Sequence, residues 1–156
     1  MIPGDKISFI QKVAMPAVED WQERHICLPS LIIALAIDGT DWGQSDGFLS
    51  RREMFPNRRD DGDESCSTLN KAVFSHNNYL TVWRGENQKE PNWKHLIGQK
   101  NYILAVQYLQ TAEYPYSSEE GYEAKLINLI EKYKLMRFEE MPCSFWLGGS
   151  FQSIHG

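Results

Sequence analysis

Cysteine is scarce, and its placement excludes the simplest cysteine chemistries. Cys27, Cys66 and Cys143 stand far apart, with no C-x-x-C pair and no Cys/His spacing of the kind zinc needs. Reduced thiols are expected, and no metal or other cofactor. Long apolar runs are also missing: no segment reaches the ~20 residues that cross a bilayer, so no membrane association is expected. The opening Met1-Ile2-Pro3-Gly4-Asp5 lacks the basic segment and apolar stretch of a secretory leader, which points to a cytoplasmic location. A protein of this kind acting outside the membrane would need another route of export. Excess positive charge is absent too. The net charge of -5 excludes a broad cationic face for phosphate backbones, so no direct nucleic-acid binding is expected. There is no internal repeat and no low-complexity tract.

What is present suits one globular domain. The 156 residues are 42% apolar and 12% aromatic, enough for a real core but too short for two ordinary domains. Between Asp5 and His25, Ile7, Ile10, Val13, Ala14, Ala17, Val18 and Trp21 recur at three- and four-residue steps, one face of an amphipathic helix. Pro16 removes a backbone donor inside it and predicts a kink or a break. Leu31-Ile32-Ile33-Ala34-Leu35-Ala36-Ile37 is apolar almost all round, which predicts a buried central helix with Pro29 in its first turn. Its end is expected near Asp38-Gly39, where glycine permits a left-handed cap.

Residues 43 to 70 carry glycines, Pro56, the basic cluster Arg51, Arg52, Arg58 and Arg59, and the acidic run from Asp60 to Glu64. They predict an irregular lobe. Val73 to Arg84 fits neither helix nor strand decisively, and a short helix is expected around Trp93 to Ile97. Ile103, Leu104, Val106, Tyr108 and Leu109 follow a helical pattern. Ser117 with Glu120 fits a capping box for a helix whose inner face is Tyr122, Leu126, Leu129, Ile130 and Tyr133. Residues 1–135 form the expected domain, with the apolar, aperiodic extension 136–156 packed back on it.

These segments carry a resemblance. Phe9-Ile10-Gln11-Lys12-Val13-Ala14, then Leu28 to Ile37, then Trp42-Gly43-Gln44-Ser45 resemble the start of glycoside hydrolase family 73, the bacterial and phage glucosaminidases of the lysozyme-like superfamily. Those enzymes read like F-I-x-K-I-A, then L-P-S-x-x-I-A-Q-A-I-L-E-S-G-W-G-K-S. Gly98 to Leu109 and Tyr122 to Leu135 resemble the family's closing helices, and the two blocks cover a little over half the chain. The resemblance implies a mainly α, lysozyme-like, glucosaminidase-type helical domain. It also places the catalytic acid three residues before the Trp-Gly pair, where this chain has Gly39. Protonating a glycosidic leaving group needs a carboxylic acid beside the scissile oxygen, and glycine offers none. Arg52 to Arg58 is the nearest counterpart of the family's N-N-L-F-G-I-K segment, without its Asn pair and glycine; Glu113-Tyr114-Pro115-Tyr116-Ser117 similarly replaces G-Y-A-T-D-P.

Two functions are compatible with this pattern. In the first, the chain is a catalytically degenerate glucosaminidase-like binding protein. Trp42, the acidic Asp60, Asp61, Asp63 and Glu64, and the apolar Phe145 and Trp146 would contact a protein partner with a basic surface. Residual glycan binding is a further use of the same fold. One version is a phage-encoded inhibitor of a host defence or nucleic-acid-binding protein. In the second, the chain is an active peptidoglycan hydrolase, a phage or mobile-element lysin, with Asp38, Asp41 or Glu53 as acid. Helix-end capping is the plainer use of Asp38 and Asp41, and closing the central helix is the plainer use of Trp42. Asp60 to Glu64 lacks an EF-hand pattern and is expected to be a solvated loop. The scattered His25, His76, His95 and His155 are expected at the surface or at caps, without a catalytic role.

Overall fold

The computed structural model describes residues 4–57, 68–87, 93–111 and 115–141, with the backbone alone for residues 83, 86 and 87. The helices are α1 (Gly4–Arg24), α2 (Pro29–Thr40), α3 (Asp46–Arg51), α4 (Leu69–Asn78), α5 (Trp93–Leu96), α6 (Tyr102–Leu109) and α7 (Tyr122–Lys132). A π-helical segment, Tyr79–Asn87, continues α4, and a 3-10 turn, Leu135–Glu140, follows α7. One isolated bridge, Gln110 to Pro115, is the β pairing among the described residues. The mainly α expectation holds.

The core is built around α2. Leu31, Ile32, Ile33, Ala34 and Ala36 are each 0% exposed, as an all-round apolar helix requires. α1, α6, α7 and the 3-10 turn pack on it. Pro29 occupies its first turn, where a missing N–H costs nothing, and the next orphan donor, Ser30 N–H, reaches Glu139 Oε1 at 3.2 Å. α1 turns Ile10, Val13, Ala14, Ala17, Val18 and Trp21 inward, as their spacing predicts, with Phe9 beside them, whereas Ile7, expected on the same face, is exposed. α7 does the same with Tyr122, Leu126 and Ile130.

Several local expectations are corrected. Of the kink or break allowed at Pro16, the break does not occur: α1 runs on across Pro16, because burial of the faces on either side outweighs one lost backbone bond. The left-handed residue closing α2 is Asp41 (φ 48), not Gly39, which remains helical. Ser117 does not cap α7. Its backbone N–H and carbonyl are both bound by the Gln110 side chain, and its hydroxyl accepts from Glu119 N–H at 3.1 Å, so it is committed to a local turn. Gly121 (φ 75) stands at the N-cap instead.

Val73 to Arg84, left open by its pattern, is helical: α4 starts on the Thr68 hydroxyl, which accepts from Lys71 N–H at 3.2 Å, and then widens into the π-helical segment. Glycine is needed at position 85 of that segment, where a Cβ would stand 2.9 Å from the Trp93 ring of α5. His76 is 0% exposed rather than superficial. It stacks on Phe55 at 4.2 Å and joins Asn77 Oδ1 (3.2 Å) and the Tyr116 hydroxyl (2.9 Å). Asn77 Nδ2 donates in turn to Asp20 at 2.6 Å, and Asp20 also pairs with Arg24, so a buried polar belt ties α4 to α1.

Candidate functional site

The C-terminal end of α2 carries the residues to which the sequence assigns chemistry. The helix stops because Thr40 turns its hydroxyl back to Ala36 O (2.7 Å) and accepts from Gly43 N–H (2.8 Å). Asp41, Trp42 (φ 60) and Gly43 (φ 82) then follow in left-handed backbone. Glycine is required at the last of these, since a Cβ there would also meet the Phe9 ring at 3.0 Å. Ser45 begins α3 by accepting from Phe48 N–H at 3.2 Å.

After α3 the chain returns across the end of α2. A Cβ on Gly39 would lie 2.7 Å from the Met54 carbonyl oxygen and 2.7 Å from Pro56 Cδ. Both Met54 and Phe55 are buried, so this crossing segment is anchored. The space a side chain at position 39 would need is therefore filled by main chain. A glutamate could not project there without displacing residues 54–56.

The neighbouring carboxylates are separately occupied. Asp38, only 12% exposed, pairs with Lys125 of α7 at 2.5 Å, and Lys125 also reaches Glu119 at 3.2 Å. The bond from Asp38 is the main reason the Lys125 pKa is raised. Tyr122 is buried in the same corner, with its hydroxyl accepting from Asn57 Nδ2 at 3.3 Å. Burial, followed by the Asp38 charge, pushes the Tyr122 hydroxyl pKa up. Glu53 is half-buried and pairs with Arg51 at 3.5 Å. Asp41 is exposed, with no side-chain partner among the described residues.

Trp42 is half-buried. It meets Tyr133 edge-on at 5.0 Å and Phe9 at 6.2 Å, with Lys6 Nζ 4.7 Å over its ring. Asp60, Asp61, Asp63, Glu64, Phe145 and Trp146 lie outside the described residues, as do Cys66 and Cys143. Cys27 is buried, which pushes its thiol pKa up. Among the described residues, no group of three His, Cys, Asp or Glu side chains could hold a metal ion, and no helix is long and apolar enough to cross a membrane. Sequence reasoning missed Lys125, Tyr122 and Asn57 around Asp38. No linear signal joins them, because α7 meets the end of α2 only in the folded chain.

No protein-family model matches the chain, and no curated protein matches it. Two solved structures are similar. The catalytic domain of the autolysin Auto from Listeria monocytogenes superposes with a TM-score of 0.67 at 19% identity, over 88% of this chain and 89% of that one. The N-acetylmuramoyl-L-alanine amidase from Staphylococcus aureus superposes with a TM-score of 0.72 at 20% identity, over 91% of this chain. This chain spans 45% of that amidase. The likeness is one of fold, shared with an autolysin catalytic domain. The mainly α, lysozyme-like helical architecture expected from the sequence agrees with it.

Proposed function

We propose that the chain is a catalytically degenerate, glucosaminidase-like protein that binds cell-wall glycan without cutting it. The observation that carries this is the closure of position 39 by the Met54 carbonyl and Pro56. Glycosidic cleavage needs a carboxylic acid held beside the leaving oxygen, and that position has neither the side chain nor room for one. Glycan is preferred over a basic protein as the ligand because both similar structures carry the names of wall hydrolases. The inhibitor version rests on charge and size alone, and most of its contact residues lie outside the described residues. Wall binding implies a route to the wall, by holin release or other export.

The second reading, an active peptidoglycan hydrolase using Asp38, Asp41 or Glu53, is favoured by the likeness to an autolysin catalytic domain. Against it, Asp38 and Glu53 are held in ion pairs with Lys125 and Arg51. Binding is tested by sedimenting the purified chain with insoluble peptidoglycan sacculi. Saturable co-sedimentation, competed by soluble peptidoglycan fragments, is expected. A chain that stays in the supernatant at every sacculus concentration contradicts the proposal and returns the search to a protein partner.

A further inference from the structure

At the opposite end of α2 from Gly39, a cavity of about 540 Å³ opens between the last turn of α1, the start of α6 and the 3-10 turn. Trp21, His25, Lys100, Tyr102, Glu139 and Glu140 line it. That volume suits a small organic molecule. The polar groups around it are mostly uncommitted. Among the described residues, the Trp21 indole N–H, the His25 ring nitrogens, the Lys100 ammonium and the Glu140 carboxylate have no hydrogen bond or ion pair. Glu139 makes one described bond, from Ser30 N–H to Oε1. His25 is held in left-handed backbone (φ 53) with its ring 5.2 Å from that of Trp21, which fixes an aromatic wall.

The decisive feature is the charge. A lysine and two glutamates face one cavity, yet no ion pair joins Lys100 to either glutamate. Burial pushes the Glu139 carboxyl pKa up, against the bond from Ser30 N–H, and no described cation pairs with this carboxylate. A simple anion would be repelled by two carboxylates. A simple cation would leave Lys100 unmatched.

We propose that this cavity binds a small zwitterion, a free amino acid or short peptide, with its ammonium on Glu139 and its carboxylate on Lys100. The Trp21 indole N–H supplies a further donor, and His25 and Tyr102 flank the side chain. Charge-assisted hydrogen bonds at both ends would set specificity for ligands carrying both charges. This site is independent of any glycan binding at the far end of α2.

The test is a titration of the isotopically labelled whole chain, followed by NMR, with L-alanine and L-alanyl-L-alanine. N-acetyl-L-alanine and L-alaninamide each lack one charge and serve as matched probes. Saturable shifts at the Trp21 indole, His25 and Lys100 are expected for the zwitterions, with about tenfold weaker binding for each matched probe. Glu139→Gln keeps an acceptor for Ser30 N–H, and Lys100→Met changes an exposed side chain. Each should weaken binding about tenfold while leaving the rest of the spectrum in place. If Glu139→Gln disturbs the fold, Lys100→Met decides. Absence of saturable shifts, equal binding of the singly charged probes, or unchanged affinity in Lys100→Met would overturn the proposal.

Discussion

Gly39 owes its identity to a close approach rather than to a turn. It is helical, and what it permits is the passage of Met54 O and Pro56 across the end of α2. Gly39→Ala should therefore cost about 1–3 kcal/mol, because the atoms it meets include backbone that cannot rotate away. Urea unfolding measures this; wild-type stability would mean that residues 54–56 do not close on the helix. In the same corner, two groups respond to alkali in the same direction. Tyr122 has its folded pKa raised, so the unfolded chain ionises first and stability falls as pH climbs past about 10. Lys125 has its folded pKa raised as well, so its contribution is complete below the unfolded value and is lost as pH rises through the folded one. Lys125 is 44% exposed, so solvent screening keeps its share small and Tyr122 should dominate. Melting temperature should stay level through neutral pH and drop in alkali, where the buried Cys27 thiol contributes in the same direction, and Tyr122→Phe should make that drop shallower. An equally steep drop in the variant would place the whole cause elsewhere. At this scale the resemblance singled out Gly39 by counting back from Trp42, but not the close approach that a glycine permits there. The crossing segment and the Lys125 pair were not legible, since both come from distant parts of the chain.

Among the elements, α2 was the most legible because its composition allows no solvent-facing side. Ile33, at 0% exposure, tests that directly: Ile33→Asp should cost several kcal/mol by forcing an unpaired charge among apolar neighbours. A urea midpoint near that of the wild type would refute the burial of this helix. α1 and α7 were readable from spacing for the same physical reason, that only one face of each is needed inside. The errors came where local chemistry competes with packing. Pro16 did not break α1, because the buried faces on both sides hold it. Ser117 looked like a cap in sequence, but the Gln110 side chain claims its backbone. The π-helical continuation of α4 has no periodicity of its own to betray it. Burial of His76 depended on Phe55 and Tyr116, too far away in sequence for any local pattern to join them to it.

For the whole molecule, the arrangement of helices around α2 agrees with the likeness in fold to the two solved structures, while function has to be argued from the site. A fold survives changes in its side chains far better than catalysis does, because catalysis depends on one carboxyl group in one place. Under the proposed reading that place is position 39, where the Met54 carbonyl and the Pro56 ring lie. The most direct measurement is the release of reducing sugar from purified peptidoglycan by the intact chain across a broad pH range, beside an active glucosaminidase. No release above the blank is the expected result, from the same preparation that co-sediments with sacculi. Sustained release that disappears on changing Asp38, Asp41 or Glu53 would contradict the account and establish the chain as a working hydrolase.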